Sequence, residues 1–147
     1  MMKCSDIMTK DPVCCLPDDT VKKAAQLMKS EDVGPIPVIR DQQSKRLIGI
    51  VTDRDLALKV VAEARDPKTT TVEQVMTTGV VACRAGDDLQ TALDAMEERQ
   101  VRRIPIVDES DRIVGIIAQA DIATRLKEPA KTAEVIEEVS KATRAGR

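Results

Sequence analysis

The chain is written twice, and this repetition constrains its fold more than any other feature. Shifting the sequence by 68 residues aligns Met8 with Met76, Thr9 with Thr77, Val13 with Val81 and Cys15 with Cys83. The same shift aligns Asp19 with Asp87, Ala24 with Ala92, Met28 with Met96, Val33 with Val101, Ile36 with Ile104 and Pro37 with Pro105. Further on the shift becomes 66, and Gly49 meets Gly115, Ile50 meets Ile116, Asp55 meets Asp121 and Ala57 meets Ala123. The second copy has lost two residues between "IPIV" and "IVGII". A deletion is best tolerated in a turn, so a β-hairpin loop is predicted at that junction.

Each copy carries the same order of elements. A short β-branched segment, "PVCCL" or "VVACR", is followed by a polar start, "PDDT" or "AGDD", which suits a helix N-terminus. Apolar residues then recur at Val21, Ala24, Ala25 and Met28, and at Leu89, Ala92, Leu93 and Met96. That spacing predicts one buried face of a helix. "IPVI" and "IPIVD" read as a strand whose proline lies near its start or on an edge. "RLIGIVT" and "RIVGIIA" read as a buried strand, and a second helix is predicted from near Asp53 and near Gln119. The fold class is therefore α/β (α+β), with β-α-β-β-α written twice.

The first repeat spans 1–66 and the second 67–127, with a Thr- and Pro-bearing linker over 62–72. Each repeat of roughly 60 residues buries only a modest core alone. The two are expected to pack into one module with pseudo-two-fold symmetry. Met8, Met28, Met76 and Met96 recur at equivalent positions and read as core. Residues 128–147 follow, where Val135, Ile136 and Val139 form a narrow apolar stripe of a C-terminal helix or tail. Asp18 and Asp19 read as caps of the first long helix.

Composition narrows the chemistry. The chain has no His, which removes Ser–His and Cys–His catalytic pairs. It has no Phe, Tyr or Trp, so single-stranded nucleic acid finds no aromatic platform. The net charge of −2 gives no broad basic footprint for nucleic acid or membrane. The N-terminus has no apolar h-region and no apolar run approaches the roughly 18 residues of a membrane span, so a cytoplasmic protein is expected. Cys4, Cys14, Cys15 and Cys83 match no zinc spacing. They read as reduced thiols, with a redox or metal-responsive role as the alternative.

Two phrases carry a family resemblance: "GIVTDRD" at 49–55 and "GIIAQAD" at 115–121. With "DIMT", "QVMT", "VGPIPVI" and "VRRIPIV" they resemble the CBS (cystathionine β-synthase) domain, whose signature is a glycine, two apolar residues, Thr or Ser, two variable residues and Asp. The resemblance covers residues 4–127, as in a stand-alone CBS pair, or Bateman module. It implies a regulatory protein rather than an enzyme. It also implies that AMP, ADP, ATP or a related ligand such as NAD or S-adenosylmethionine binds as a regulatory ligand in clefts between the repeats. A homodimer and an unidentified regulated protein are the partners implied.

On this resemblance, Asp55 accepts both ribose hydroxyls and Thr52 donates to a phosphate. Val101, Arg102, Arg103 and Ile104 come from the opposing repeat, with Thr77, Val80 and Val81 near the adenine. The arginines suit phosphate because a guanidinium fork matches its oxygens. A second, weaker cleft would use Asp121, Ala118, Thr9, Val13, Gly34 and Ile36. Ala118 stands where the first repeat has Thr52, and Gly34 and Pro35 stand where the second has Arg102 and Arg103. Thr-x-x-Asp before a helix also reads as a capping box with no ligand at all. A pure oligomerisation module with vestigial clefts is thus a competing reading.

Overall fold

The computed structural model describes residues 2–125. The predicted helix or tail over 128–147 lies outside the described residues. Along the chain the elements are α1 (Cys4–Ile7), β1 (Thr9–Lys10), α2 (Val21–Glu31), β2 (Pro35–Ile39), β3 (Leu47–Thr52), α3 (Asp53–Leu56), a π-helical turn (Ala57–Val61) and α4 (Val72–Val75). They continue with β4 (Cys83–Arg84), α5 (Leu89–Arg99), β5 (Arg103–Val107), β6 (Ile113–Ala118) and α6 (Gln119–Arg125). The mixed helix and strand content is the α+β class expected. The two shorter loops, 40–46 and 108–112, place the two-residue deletion in the β-hairpin.

The chain forms two compact units, and they interleave the sequence repeats. One unit holds Pro12–Val80 with Ser110–Ile113; the other holds residues up to Asp11, Val81–Glu109 and the chain from Val114. The sequence repeat and the compact unit are therefore different divisions of this chain.

In the first of these units β2 and β3 are antiparallel, from Pro35 opposite Thr52 to Val38 opposite Gly49, with a register shift between Val38 and Ile39. Cys15 bridges Val38 in parallel on one side, and Thr77 bridges Ile50 antiparallel on the other. In the second unit the strand order is β1-β6-β5-β4, with Thr9 opposite Ile116 and Cys83 parallel to Ile106. The two orders match residue for residue under the repeat. Each unit borrows the short Met-Thr segment that precedes the other repeat.

The backbone repeats even where side chains do not. Six of the seven described residues with positive φ, all but Ala64, form repeat-related pairs: Asp32 (53°) with Gln100 (56°), Lys45 (51°) with Asp111 (62°), and Asp11 (50°) with Gly79 (66°). Asp32 and Gln100 close α2 and α5 as left-handed C-caps. Gly79 is the one of the six that avoids the Cβ penalty.

Pro37 fits its strand because its carbonyl accepts from the Cys15 amide at 3.0 Å. Its ring nitrogen thus lies on the Cys15 edge, and the hydrogen bonds to β3 are untouched. The cap of α2 is Thr20, whose hydroxyl accepts from the Lys23 amide at 3.1 Å. Asp19 instead accepts from the Leu16 amide at 2.8 Å and pairs with Lys23 at 3.2 Å, so the cap lies one residue later than the acidic pair suggested. The linker is pinned rather than free: the Val21 amide donates to Thr70 and the Val72 amide to Asp19.

Each unit has its own core. Cys15, Val21, Ala24, Met28, Ile36, Val51 and Val72 cluster in one, with Met76 packed against them. Cys4, Ile7, Met8, Cys83, Leu93, Met96, Ile104 and Ile122 cluster in the other. Among the described residues no helix is long and apolar enough to cross a membrane.

Candidate functional site

In the unit built on Pro12–Val80, β3 runs directly into α3 at Thr52. The Thr52 hydroxyl accepts from the Asp55 amide at 3.1 Å, and Asp55 Oδ2 accepts from the Thr52 amide at 2.9 Å. This is a reciprocal capping box with Asp at the Glu position. Asp55 Oδ1 lies 3.1 Å from Lys59 Nζ, and the same ammonium donates to the Val75 carbonyl at 2.9 Å. The Asp55 side chain is only 13% exposed, that of Lys59 46%. Sequence reasoning passed over Lys59, although an acid followed by Lys four residues later was a signal for the pair.

Gly49 explains how Thr77 reaches this junction. Thr77 and Ile50 exchange backbone hydrogen bonds of 3.0 and 2.9 Å. A Cβ on Gly49 would lie 2.8 Å from the Thr77 carbonyl and 2.9 Å from Met76 Sδ, closer than real Cβ atoms come. The strand segment holding Thr77 can lie here only because residue 49 has no side chain. Gly34 accepts from the Asp53 amide at 3.1 Å. Thr52, Asp55, Thr77, Val80, Val13, Gly34 and Ile36 all belong to this unit. Ile36 is fully buried in its core, and Val13 packs against that core.

The second unit presents the related junction with different furniture. The Ala118 amide donates to Asp121 Oδ2 at 2.9 Å, so half of the capping box survives without the hydroxyl. Thr9 Oγ1 donates to Asp121 Oδ1 at 3.3 Å. The Gln119 amide donates to the Arg102 carbonyl at 3.0 Å, the counterpart of Asp53 with Gly34. Val81, Val101, Arg102, Arg103 and Ile104 also belong to this unit. Arg102, Arg103 and Val101 are exposed, while Ile104 is 1% exposed and sits in the core.

The thiols lie apart from this chemistry. Burial pushes Cys4, Cys14 and Cys15 up to about 11 and raises Cys83 as well. A reactive or metal-binding cysteine needs the opposite shift. Among the described residues no group of three or more His, Cys, Asp or Glu side chains is placed to hold a metal ion.

Known proteins show the same design. Hypoxic response protein 1 of Mycobacterium tuberculosis is 38% identical over 130 residues, covering 88% of this chain and 89% of that protein. The protein YhcV of Bacillus subtilis is 40% identical over 123 residues, covering 84% of each. The crystal structure of Hypoxic Response Protein I, which holds two coordinated zinc ions, superposes with a TM-score of 0.77 over 85% of this chain and 99% of that one. The described residues of the present chain do not fit such a metal, having no His and no ligand cluster. The CBS pair of protein MJ0100, in complex with 5′-methylthioadenosine and S-adenosyl-L-methionine, is 25% identical with a TM-score of 0.73, covering 84% of this chain and 94% of that one. The CBS domain model matches residues 4–62 and 72–128. Two copies of that domain in one chain account for the repeat and for the paired strand–helix junctions, and the chain belongs to the CBS domain family.

Proposed function

We propose that this CBS pair is a regulatory sensor of adenine nucleotides, AMP, ADP or ATP, and that Asp55 receives the ribose hydroxyls. The observation that carries the reading is the Asp55 carboxylate, oriented at the end of β3 by Thr52 and Lys59 within the unit that also holds Thr77. The capping box does not compete with this role. The Thr52 hydroxyl accepts from the Asp55 amide and keeps its own proton to donate to a phosphate oxygen. The adenosine-containing ligands of the MJ0100 pair support the ligand class. A thermal-shift screen with AMP, ADP, ATP, NAD and S-adenosylmethionine tests it. At least one nucleotide should raise the melting temperature of the parent, and Asp55→Ala should lose that shift. A parent protein that no adenosine ligand stabilises would sink the proposal.

One observation favours a second reading. Both Asp55 oxygens already have partners within the chain, as in a structural cap of an oligomerisation module with vestigial clefts. The same screen separates the two. Under either reading the output runs through a homodimer or a regulated partner. Sedimentation at micromolar concentration should show a dimer, and monomer alone would defeat that part.

A further inference from the structure

We propose that Lys59 is a positioning residue that makes Asp55 selective for a vicinal diol. This rests on the reading of Asp55 as the ribose acceptor. A carboxylate held at one oxygen can still turn about its terminal torsion, a broad and soft rotation. Asp55 is held at both: Thr52 N lies 2.9 Å from Oδ2 and Lys59 Nζ 3.1 Å from Oδ1. Lys59 is itself aimed by the Val75 carbonyl at 2.9 Å, at the end of α4. Each carboxylate oxygen has two acceptor positions. One fixed donor on each leaves one acceptor on each, which suits two adjacent hydroxyls. A ligand with a single hydroxyl uses half of that arrangement. Without Lys59, Oδ1 regains an acceptor position and the carboxylate is free to turn towards one hydroxyl. The distinction between ribose and deoxyribose then weakens. At the related junction Asp121 Oδ1 accepts from the Thr9 hydroxyl at 3.3 Å.

Calorimetry on the full chain with adenosine and 2′-deoxyadenosine tests the role. Neither ligand carries a phosphate, so the lysine charge cannot act through one. The parent should prefer adenosine by about tenfold, the worth of one hydrogen bond to a charged acceptor. Lys59→Met should remove most of that preference, and Lys59→Arg, which keeps a cationic donor, should retain it. Should Lys59→Met fail to fold, Lys59→Gln, which drops the charge, is read in the same way. A folded Lys59→Met that loses affinity equally for both nucleosides, or keeps the parent ratio, overturns the proposal. The ribose reading fails separately: a parent that binds neither nucleoside, or binds both equally, removes Asp55 as the acceptor and Lys59 with it. A parent preference that Asp55→Ala abolishes and Lys59→Met preserves overturns Lys59 alone.

Discussion

The Thr9 hydroxyl donates to Asp121 Oδ1 at 3.3 Å, on the atom that in the related Asp55 faces Lys59. Two carboxylates at the same place in the repeat thus share a backbone partner, and at Asp121 a hydroxyl stands on the oxygen that Lys59 meets at Asp55. A ribose at Asp121 must displace or share the Thr9 hydroxyl, and Ala118 offers no phosphate donor. We expect the two to bind unequally. Charge-assisted hydrogen bonds contribute about 1.5–3 kcal/mol each, so losing the Thr52 hydroxyl contact separates the affinities by at least about tenfold. Calorimetry with AMP or ATP should show one strong site per chain, lost in Asp55→Ala and kept in Asp121→Ala. Two equal sites would contradict the asymmetry.

The same substitution, Thr to Ala, separates the two junctions in stability. Thr52→Ala removes the acceptor for the Asp55 amide and should cost about 0.5–2 kcal/mol, the usual worth of an N-cap side chain. Ala118→Thr supplies the missing half of the other box and should stabilise by a similar amount. Urea unfolding measures both. Opposite signs are expected, and an Ala118→Thr variant less stable than the parent would show that the hydroxyl does not fit there.

Much of this was legible in the sequence because the repeat is a property of the backbone. The helix faces at Val21, Ala24 and Met28, and at Leu89, Ala92, Leu93 and Met96, follow directly from apolar spacing, whereas Ala25, expected on the same face, is exposed. The deletion found its hairpin because only a turn absorbs it. The exchange of short strands was not legible. Met8–Thr9 and Met76–Thr77 look like the beginnings of their own repeats, and only the pairing of Thr9 with Ile116 and Thr77 with Ile50 shows that each serves the other unit. Lys59 was passed over although Asp55 four residues earlier was a local signal for the pair; no local pattern pointed to its second partner, the Val75 carbonyl beyond the linker. The resemblance makes Ile36 and Ile104 cleft walls, and both are buried in the cores of their units; alternation on a short strand does not distinguish the two environments.

Gly49 and Gly34 should answer differently to a methyl group. At Gly49 the new Cβ meets a backbone oxygen, Thr77 O, at 2.8 Å. Backbone cannot step aside without breaking the Ile50–Thr77 bridge. Gly49→Ala should therefore cost on the order of 1–3 kcal/mol, as overpacking does, and should weaken nucleotide binding with it. At Gly34 the nearest atoms belong to the Asp53 side chain, at 3.3 Å, an exposed chain whose Oδ1 accepts from the Arg54 amide at 2.9 Å and which can give way into solvent. Gly34→Ala should stay within about 0.5 kcal/mol of the parent. Thermal unfolding of the two variants side by side decides this. A tolerated Gly49→Ala would mean that the Thr77 segment is not held against β3 in solution.

The buried thiols make stability fall in alkali. Burial holds the Cys15 thiol at about 11 against an ordinary 9.0, with Asp19 nearby adding to the shift. Between those values the unfolded chain releases the proton and the folded chain keeps it. Folding then binds protons, and stability must decline as the pH rises. The contribution is whole below about 9 and is lost as the pH climbs towards 11. The other thiols are raised as well, so the parent alone does not isolate the effect. Comparison with Cys15→Ala does. The substitution leaves a small cavity whose cost does not depend on pH, and it removes one titrating group from the core. Urea unfolding under reducing conditions at pH 7, 9, 10 and 11 should give the parent a steeper decline than the variant, with the two curves converging at the alkaline end. Parallel curves would show that Cys15 titrates in the folded protein much as it does in the unfolded chain.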